Sequence, residues 1–577
     1  MAASPRLLWF FLVACLIGLV GCKDASMMKM EDRDKSTKKQ IKDYKNRKIL
    51  VPTKKPLPPN PNLKRRPPTT SGSQSTQPSS NSVPVRNNVD SDLERSFQAS
   101  RAAVLTTGKP EEVAVRKITA AVQASLEVAP TLVVWMFDRT PSASRLVTDG
   151  VAAARTMYDV PEIRHATLSN DQKLLTAVVA FDREADFLTE TPVGDWQQVR
   201  AAFDKVQLVD GGKELTFAAL QKALDKFLPL RTQDRREIVF VLVTDEAGND
   251  ADQVDGIVDI VKKNSIPVYV IGSPAPWGQT NPFLALGEKS KGEDDDTFPT
   301  HGPESLQSER VDLQMWSTGV LGGREDFSMI DSGFGPYGLE RLCRVSGGEF
   351  FIVRPAAGAV YQYRSTTIGH KFWPTGSEMR FDPKVVARYA PNYVSRKDYD
   401  SLLAANKAWQ ALVEAAKLPP IKIESFPEQT FEKKNEAQFT RQLNTAQQFA
   451  ARHSPPVDQL YNALSLGEGD REHLTSPRLQ AEFDLAMGRT LAAKVRLDGY
   501  NAMLAALKRG KNFTNESSRR WHIEQSINIE TGSQLQKMAD KAIMYLQRVQ
   551  KDHVGTPWAR IAEQELRIHL GWEWRES

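Results

Sequence analysis

Two apolar runs constrain this chain more than any other feature. "TLVVWMF" (131–137) and "EIVFVLVTD" (237–245) carry no alternation of apolar and polar residues. Each reads as a strand covered on both faces, and such strands require helices on either side of the sheet.

The surrounding pattern supplies those helices. "EEVAVRKITAAVQASLEVA" has helical spacing and stops at Pro130. Helices are predicted over 142–158, 195–205, 216–228, "DQVDGIVDIVKKN" and "YGLERLCRVS", and further strands over "IPVYVIG" (266–272) and "EFFIV" (349–353). "LLTAVVAFD" (174–182) and "ADFLTET" (185–191) read as a hairpin at a sheet edge. Alternating helices and strands with right-handed crossovers give an α/β fold with a doubly wound, mainly parallel sheet. A polar, Gly-rich insertion, 273–335, interrupts the alternation.

Beyond residue 357 the strands fade and helical periodicity takes over, in 397–417, 478–509 and 533–553. An all-α C-terminal region is therefore expected over 357–577. "MYLQRVQKDHVGTPWARIAEQEL" suggests one helix pair, without the fixed period of a repeat array.

The N-terminal part is of another kind. "LLWFFLVACLIGLV" (7–20) is too short for a full membrane span and fits a signal-peptide core behind Arg6. It ends in Leu19-Val20-Gly21-Cys22, which resembles the lipobox of bacterial lipoproteins. That resemblance implies cleavage after residue 21 and lipidation of Cys22, and Lys23 resembles the residue that passes such proteins to the outer membrane. Two acyl chains would then hold the chain on a membrane of the cell envelope. Of the three cysteines, Cys15 leaves with the signal and only Cys343 stays free, so no disulfide is expected. Residues 22–95 are rich first in Lys and then in Pro, Ser and Thr, the composition of a disordered tether. Its random-coil span is about 45 Å. The α/β domain is placed at 96–356.

Ligands of open α/β sheets bind beyond the carboxyl ends of the strands, where strand order reverses. The two buried runs both reach aspartate there, Asp138 and Asp245. Thr140 and Ser142 follow the first strand, and Thr216 opens "TFAALQKAL". Ser142 and Thr216 each also suit a helix N-cap. An oxygen-only set fits a hard divalent cation, magnesium first and manganese or calcium next.

These residues resemble the von Willebrand factor A domain and its metal-ion-dependent adhesion site. The motif is Asp-x-Ser-x-Ser after the first strand, a Thr before an Ala-Leu helix, and an Asp after a later strand. Asp138, Thr140 and Ser142 match the first loop with Thr for the first Ser, Thr216 the second and Asp245 the third. The resemblance covers 111–356 and implies a cation whose open position takes an Asp or Glu carboxylate of a protein partner. Two departures stand out: Pro141 stiffens the first loop, and Arg139 brings a positive charge whose direction decides whether it opposes the cation.

Other signals are weak. "GFGPYG" (333–338) has no preceding strand and reads as a turn with Pro336 near a helix start. "DGGKELT" (210–216) fails as a phosphate loop because Glu214 stands where a hydroxyl residue belongs. The acidic loop "GEDDDTF" (292–298) reads as solvated, and Trp196, Trp316, Trp373 and Trp409 as packing residues. There is no HExxH or zinc spacing among the eight histidines and three cysteines, and no catalytic set has spacing support. A net charge of +5 points to no nucleic-acid partner. The expectation is a cation-dependent binding protein rather than an enzyme. An enzyme subunit or recruiting adaptor with chemistry in the insertion or helical region, and an A-type scaffold without metal, are the alternatives.

Overall fold

The computed structural model describes residues 108–577, apart from 169–171, 210–213, 276, 278–303, 312, 315–331, 355–380, 420 and 423–426. The signal sequence, Cys22 and the tether lie outside the described residues, as do "GEDDDTF", Trp316 and Trp373. Among the described residues no helix is long and apolar enough to cross a membrane.

The chain enters the α/β domain through α1 (Pro110–Val128) and β1 (Thr131–Asp138), then α2 (Ser144–Met157), α3 (Pro161–Leu168), β2 (Leu174–Phe181) and β3 (Ala185–Phe187). Next come α4 (Trp196–Phe203), α5 (Thr216–Phe227), the single turn α6 (Pro229–Gln233), β4 (Glu237–Thr244), α7 (Val254–Lys263) and β5 (Val268–Gly272). After the insertion, which holds the short β6 (Leu313–Gln314), α8 (Tyr337–Ser346) leads into β7 (Phe350–Ile352). The sheet order is β3-β2-β1-β4-β5-β7. All neighbours are parallel except β3, which pairs antiparallel with β2 at the edge, so the expected hairpin is present. The helix α3 has no counterpart in the sequence expectation.

Strand β1 shows why its run from Leu132 to Phe137 carries no polar residue. Leu132, Val134 and Met136 face a core built with α5, α7 and α8. Val133, Trp135 and Phe137 face a second core built with α1, α2 and α4. Side chains of alternate residues point to opposite faces, so a strand covered on both must be apolar throughout. Polar groups admitted to this core are paired: Tyr158 accepts the Trp135 indole N–H at 3.3 Å and its hydroxyl meets Thr176 Oγ1 at 2.8 Å.

The C-terminal region is mostly helical. It contains α9 (Pro383–Val386), α10 (Arg396–Ala405), α11 (Lys407–Ala416), α12 (Glu436–Ser465), α13 (Pro477–Lys508), α14 (Ser533–Asp552) and α15 (Pro557–Leu566). The expected helix over 397–417 is two, broken at Asn406, whose side chain accepts the Trp409 N–H and caps α11. The strands do not fade entirely: β9 (Thr430–Glu432), β10 (Arg520–Ser526) and β11 (Gly571–Glu576) form an antiparallel sheet. Helix α12 runs through Pro455 and Pro456.

Helix α13 is buried on every side, including the consecutive stretch Ala481–Ala493. Its ionic residues therefore need partners. Asp484 receives Arg471 and Arg548, each through two hydrogen bonds of 2.5–2.9 Å. Arg496 meets Glu565 at 2.6 Å, and Arg478 meets Glu304 at 2.9 Å and Glu309 at 3.3 Å. Those last two acids belong to the insertion, so the insertion is not only a solvated loop. Its Trp277, Val311 and Leu313 are buried, and β6 pairs with β8 (Ile421–Lys422).

Tyr158→Phe removes one hydroxyl that serves both Trp135 and Thr176. Denaturant unfolding is expected to lose about 1–2 kcal/mol. An unchanged midpoint would show that these two groups find partners without Tyr158.

Candidate functional site: a carboxylate cluster at the switch point

Crossovers leave β1 toward β2 on one side and β4 lies on the other, so strand order reverses between β1 and β4. Their carboxyl ends open the crevice that open α/β sheets use for ligands. Asp138 closes β1 there with no exposed surface. Its Oδ1 accepts the Thr140 N–H at 2.9 Å and the Thr140 hydroxyl at 2.7 Å, while Oδ2 accepts the hydroxyl of Thr244, the last residue of β4, at 2.8 Å. Thr140 Oγ1 stands 3.1 Å from Ser142 Oγ, and Ser142 donates to Asp245 Oδ1 at 3.5 Å. Four of the five predicted residues thus form one connected chain.

Thr216, the fifth, is fully buried at the start of α5, and its hydroxyl has no hydrogen-bond partner. It does not cap its helix. Asp250 does so from the third loop, accepting the N–H groups of Phe217 at 3.2 Å and Ala218 at 2.7 Å. Nor does Ser142 cap α2, whose N-cap is Ala143 without a side-chain bond. The capping alternatives therefore fail for both hydroxyl residues. Gly248 bends the third loop over Thr216 at φ +81°, and a Cβ there would lie 3.1 Å from Thr216 Cβ and Oγ1. Only glycine meets both demands cheaply.

Arg139 is turned away from the cluster. Its guanidinium binds Asp182 at 3.0 Å and also pairs with Asp186 on the β2–β3 edge. The positive charge next to Asp138 in sequence is used elsewhere.

Sequence reasoning misses Glu214. The wrong residue for a phosphate loop, it stands 4% exposed with Asp138 and Asp245, and all three offer a carboxylate oxygen within 4.8 Å of one another. Its Oε2 has no partner. The available signal is its place two residues before Thr216. Glu246, next to Asp245 in the third loop, joins the cluster electrostatically. Thr244 is missed as well, although it precedes Asp245 in the buried run.

This crowding shifts every carboxyl upward. Burial, then the charges of Asp138, Glu246 and Asp245, pushes Glu214 up to about 11. Burial and then Asp138 raise Asp245 to about 7. Asp138 is raised by burial against the opposing effect of its three hydrogen bonds, and Glu246 is raised well above the ordinary range by burial and by Asp245 and Asp138. Among the described residues, no Lys or Arg forms an ion pair with these four acids.

The donor set fits a hard divalent cation. Oxygens on opposite sides of one ion stand about 4.2 Å apart for magnesium and about 4.8 Å for calcium. A carboxylate triad within 4.8 Å is therefore within reach of one ion. Asp138, Glu214 and Asp245 would hold it with Thr140 and Ser142, and the predicted fifth ligand, Thr216, has its hydroxyl buried and unpartnered.

No protein-family model and no curated protein matches the chain. Among solved structures it is similar to the crystal structure of the SpRpn10 VWA domain, at 12% identity over 25% of this chain and 74% of that one, with a TM-score of 0.19. It is similar as well to BatB from Bacteroides thetaiotaomicron, at 17% identity, 25% and 68% coverage and a TM-score of 0.18. A third is the ArnB paralog VWA2 from Sulfolobus acidocaldarius, at 14% identity, 25% and 35% coverage and a TM-score of 0.17. The chemistry of the site rests on its own residues.

Two outcomes follow. In EDTA, Thr216→Val removes an unpartnered buried hydroxyl and is expected to stabilise the protein by about 1 kcal/mol, whereas in saturating magnesium it destabilises by removing a ligand. Loss of stability in EDTA would mean that the hydroxyl has a protein partner. For the pH dependence, a carboxyl raised in the folded state binds more protons there than in the unfolded chain, so stability falls as pH rises. In EDTA the window for Asp245 runs from its unfolded value of about 4 to its folded value of about 7. Chemical denaturation across that range, with the slope reduced by magnesium, is the measurement; a slope indifferent to magnesium contradicts it.

Proposed function

We propose that this chain is a lipid-anchored protein of the bacterial cell envelope whose A-type domain grips a protein partner through a divalent cation, magnesium first and manganese or calcium next. The observation that supports this reading is the connected set of Asp138, Thr140, Ser142 and Asp245 at the switch point, with the Thr216 hydroxyl buried and unpartnered at the start of α5.

The hydroxyls are neutral ligands and leave the ion electrophilic. Asp138 already accepts three hydrogen bonds, which suits a carboxylate that acts on the ion through water as well as one that binds it directly. A partner's Asp or Glu then supplies a charge-assisted contact at the crevice. The role is recognition, and no side chain of the cluster is assigned a catalytic part. The anchor rests on the sequence alone: Cys22 follows a short apolar core and carries the lipid, the 22–95 tether extends the domain from the membrane, and the outer membrane is the favoured site.

Thermal unfolding of the purified full chain tests the cation. Magnesium at 100 times its Kd is expected to add about 2.7 kcal/mol of stability. Asp138→Ala should abolish the gain. Equal melting in magnesium and EDTA, or a gain that survives Asp138→Ala, would sink the cation reading. Cell fractionation tests the anchor: Cys22→Ala should move the chain from the membrane to the soluble fraction, and an unmoved chain rejects lipidation there.

A further inference from the structure

Glu214 is absent from the pattern that led to the site, yet its carboxylate lies among the ligands. We propose that Glu214 is a built-in ligand that closes the cation site, so that a carboxylate from outside must displace it before it can bind. This rests on the cation reading above.

Three observations carry it. First, the Glu214 carboxylate shares the same small volume with Asp138 and Asp245, all within 4.8 Å. Second, it is buried, and its Oε2 has no hydrogen-bond partner. A buried carboxylate oxygen is ordinarily paired with a donor or a metal. The Thr216 hydroxyl, two residues on at the start of α5, is likewise buried without a partner.

Third, the backbone of residue 214 is fixed. Its N–H donates to Asn249 Oδ1 at 2.7 Å, its carbonyl accepts the Asn249 N–H at 2.8 Å, and the next N–H, of Leu215, donates to the Asp182 carbonyl at 2.9 Å. These bonds tie the residue to the third loop and to the end of β2. The side chain can leave only by rotating about its own bonds, without unfolding the loop.

Charge then decides between addition and displacement. Asp138, Glu214 and Asp245 bring three negative charges to an ion of +2. With Glu246 alongside, an outside carboxylate would be repelled most while Glu214 stays, and would meet a site with one negative charge fewer once it has gone. Glu214 thus sets a threshold for partner binding: the outside carboxylate has to be presented at high local concentration or with other contacts around it.

Terbium(III) luminescence on the purified full chain separates the possibilities, because lifetimes in H2O and D2O count the waters on the ion. Wild type should keep the same count when acetate is added. Glu214→Ala should hold about one more water, which acetate then removes, since each lost ligand of a hard cation is replaced by water. Glu214→Gln, which keeps the shape, should bind magnesium about tenfold more weakly than wild type, as ligand charge sets affinity at such sites. Both variants are checked for wild-type melting in EDTA. An unchanged water count in Glu214→Ala, or acetate stripping water from wild type as readily as from the variant, overturns the proposal and leaves the cation reading standing. No terbium or magnesium response in wild type removes the cation reading itself and the proposal with it.

Discussion

Four carboxylates gathered by the carboxyl ends of β1 and β4, Asp138 and Glu214 buried and Asp245 and Glu246 half-buried, repel one another, and the architecture around them is arranged against that repulsion. The parallel pairing of β1 with β4, from Thr131 opposite Glu237 to Phe137 opposite Val243, fixes where Asp138 and Asp245 emerge. Neither acid can retreat, because the strands that carry them are locked between two apolar cores. Compensation has to come from hydrogen bonds to Asp138, from protons taken up by Glu214 and Asp245, or from a cation. The first exists in the structure; the second is the state without metal; the third replaces protons by an ion and leaves the carboxylates charged. Proton and metal thus compete for the same oxygens.

The helical region solves the same problem by other means. Its central helix α13 carries acids and bases into a core, and three of them meet opposite charges: Asp484 between two arginines, Arg496 against Glu565, Arg478 between Glu304 and Glu309. Glu309 also accepts the Tyr399 hydroxyl at 2.7 Å and the Trp409 indole N–H at 3.0 Å. Such pairs add little net stability over an apolar core, but losing one partner of a buried pair costs about 3–5 kcal/mol. Their effect here is positional: Arg478 holds a segment of the insertion, which departs from the α/β sheet between β5 and α8, inside the helical core. The contrast with the switch point is direct. In the helical region basic residues balance the buried acids, whereas at the switch point hydroxyls and backbone amides take their place.

Much of this architecture is legible in the amino-acid sequence. The stretches 132–137 and 238–243 are apolar throughout because both faces are covered, and that property shows in the order of residues alone. Helix α8 is found over the residues its pattern marks, Tyr337–Ser346. The losses have physical causes. Helix α12 passes through Pro455 and Pro456, which local rules treat as a break, because tertiary packing of Val457, Leu460 and Leu464 outweighs the local cost. The sheet β9-β10-β11 joins segments far apart in the chain, with Glu432 opposite Arg520, and local pattern along the chain does not encode such distant pairing. At the site, type and spacing mark the motif positions, but Glu214 lies between them. Its role depends on which way its side chain turns, and spacing along the chain does not encode that.

Arg139 shows the same limit from the other side. Adjacent to Asp138 in sequence, it is the group most able to neutralise the cluster. A strand's consecutive side chains point to opposite faces, so the residue after Asp138 begins by leading away from it. Asp182 and Asp186 then capture the guanidinium, one largely buried and one half exposed. Asp182 still pushes Asp138 up through its charge, and the one arginine spent on these two acids is not paired with the cluster. Among the described residues the carboxyls of the crevice therefore have no ion pair with a basic side chain. The turn of one side chain thus leaves the cluster to hydroxyls, backbone amides and bound protons.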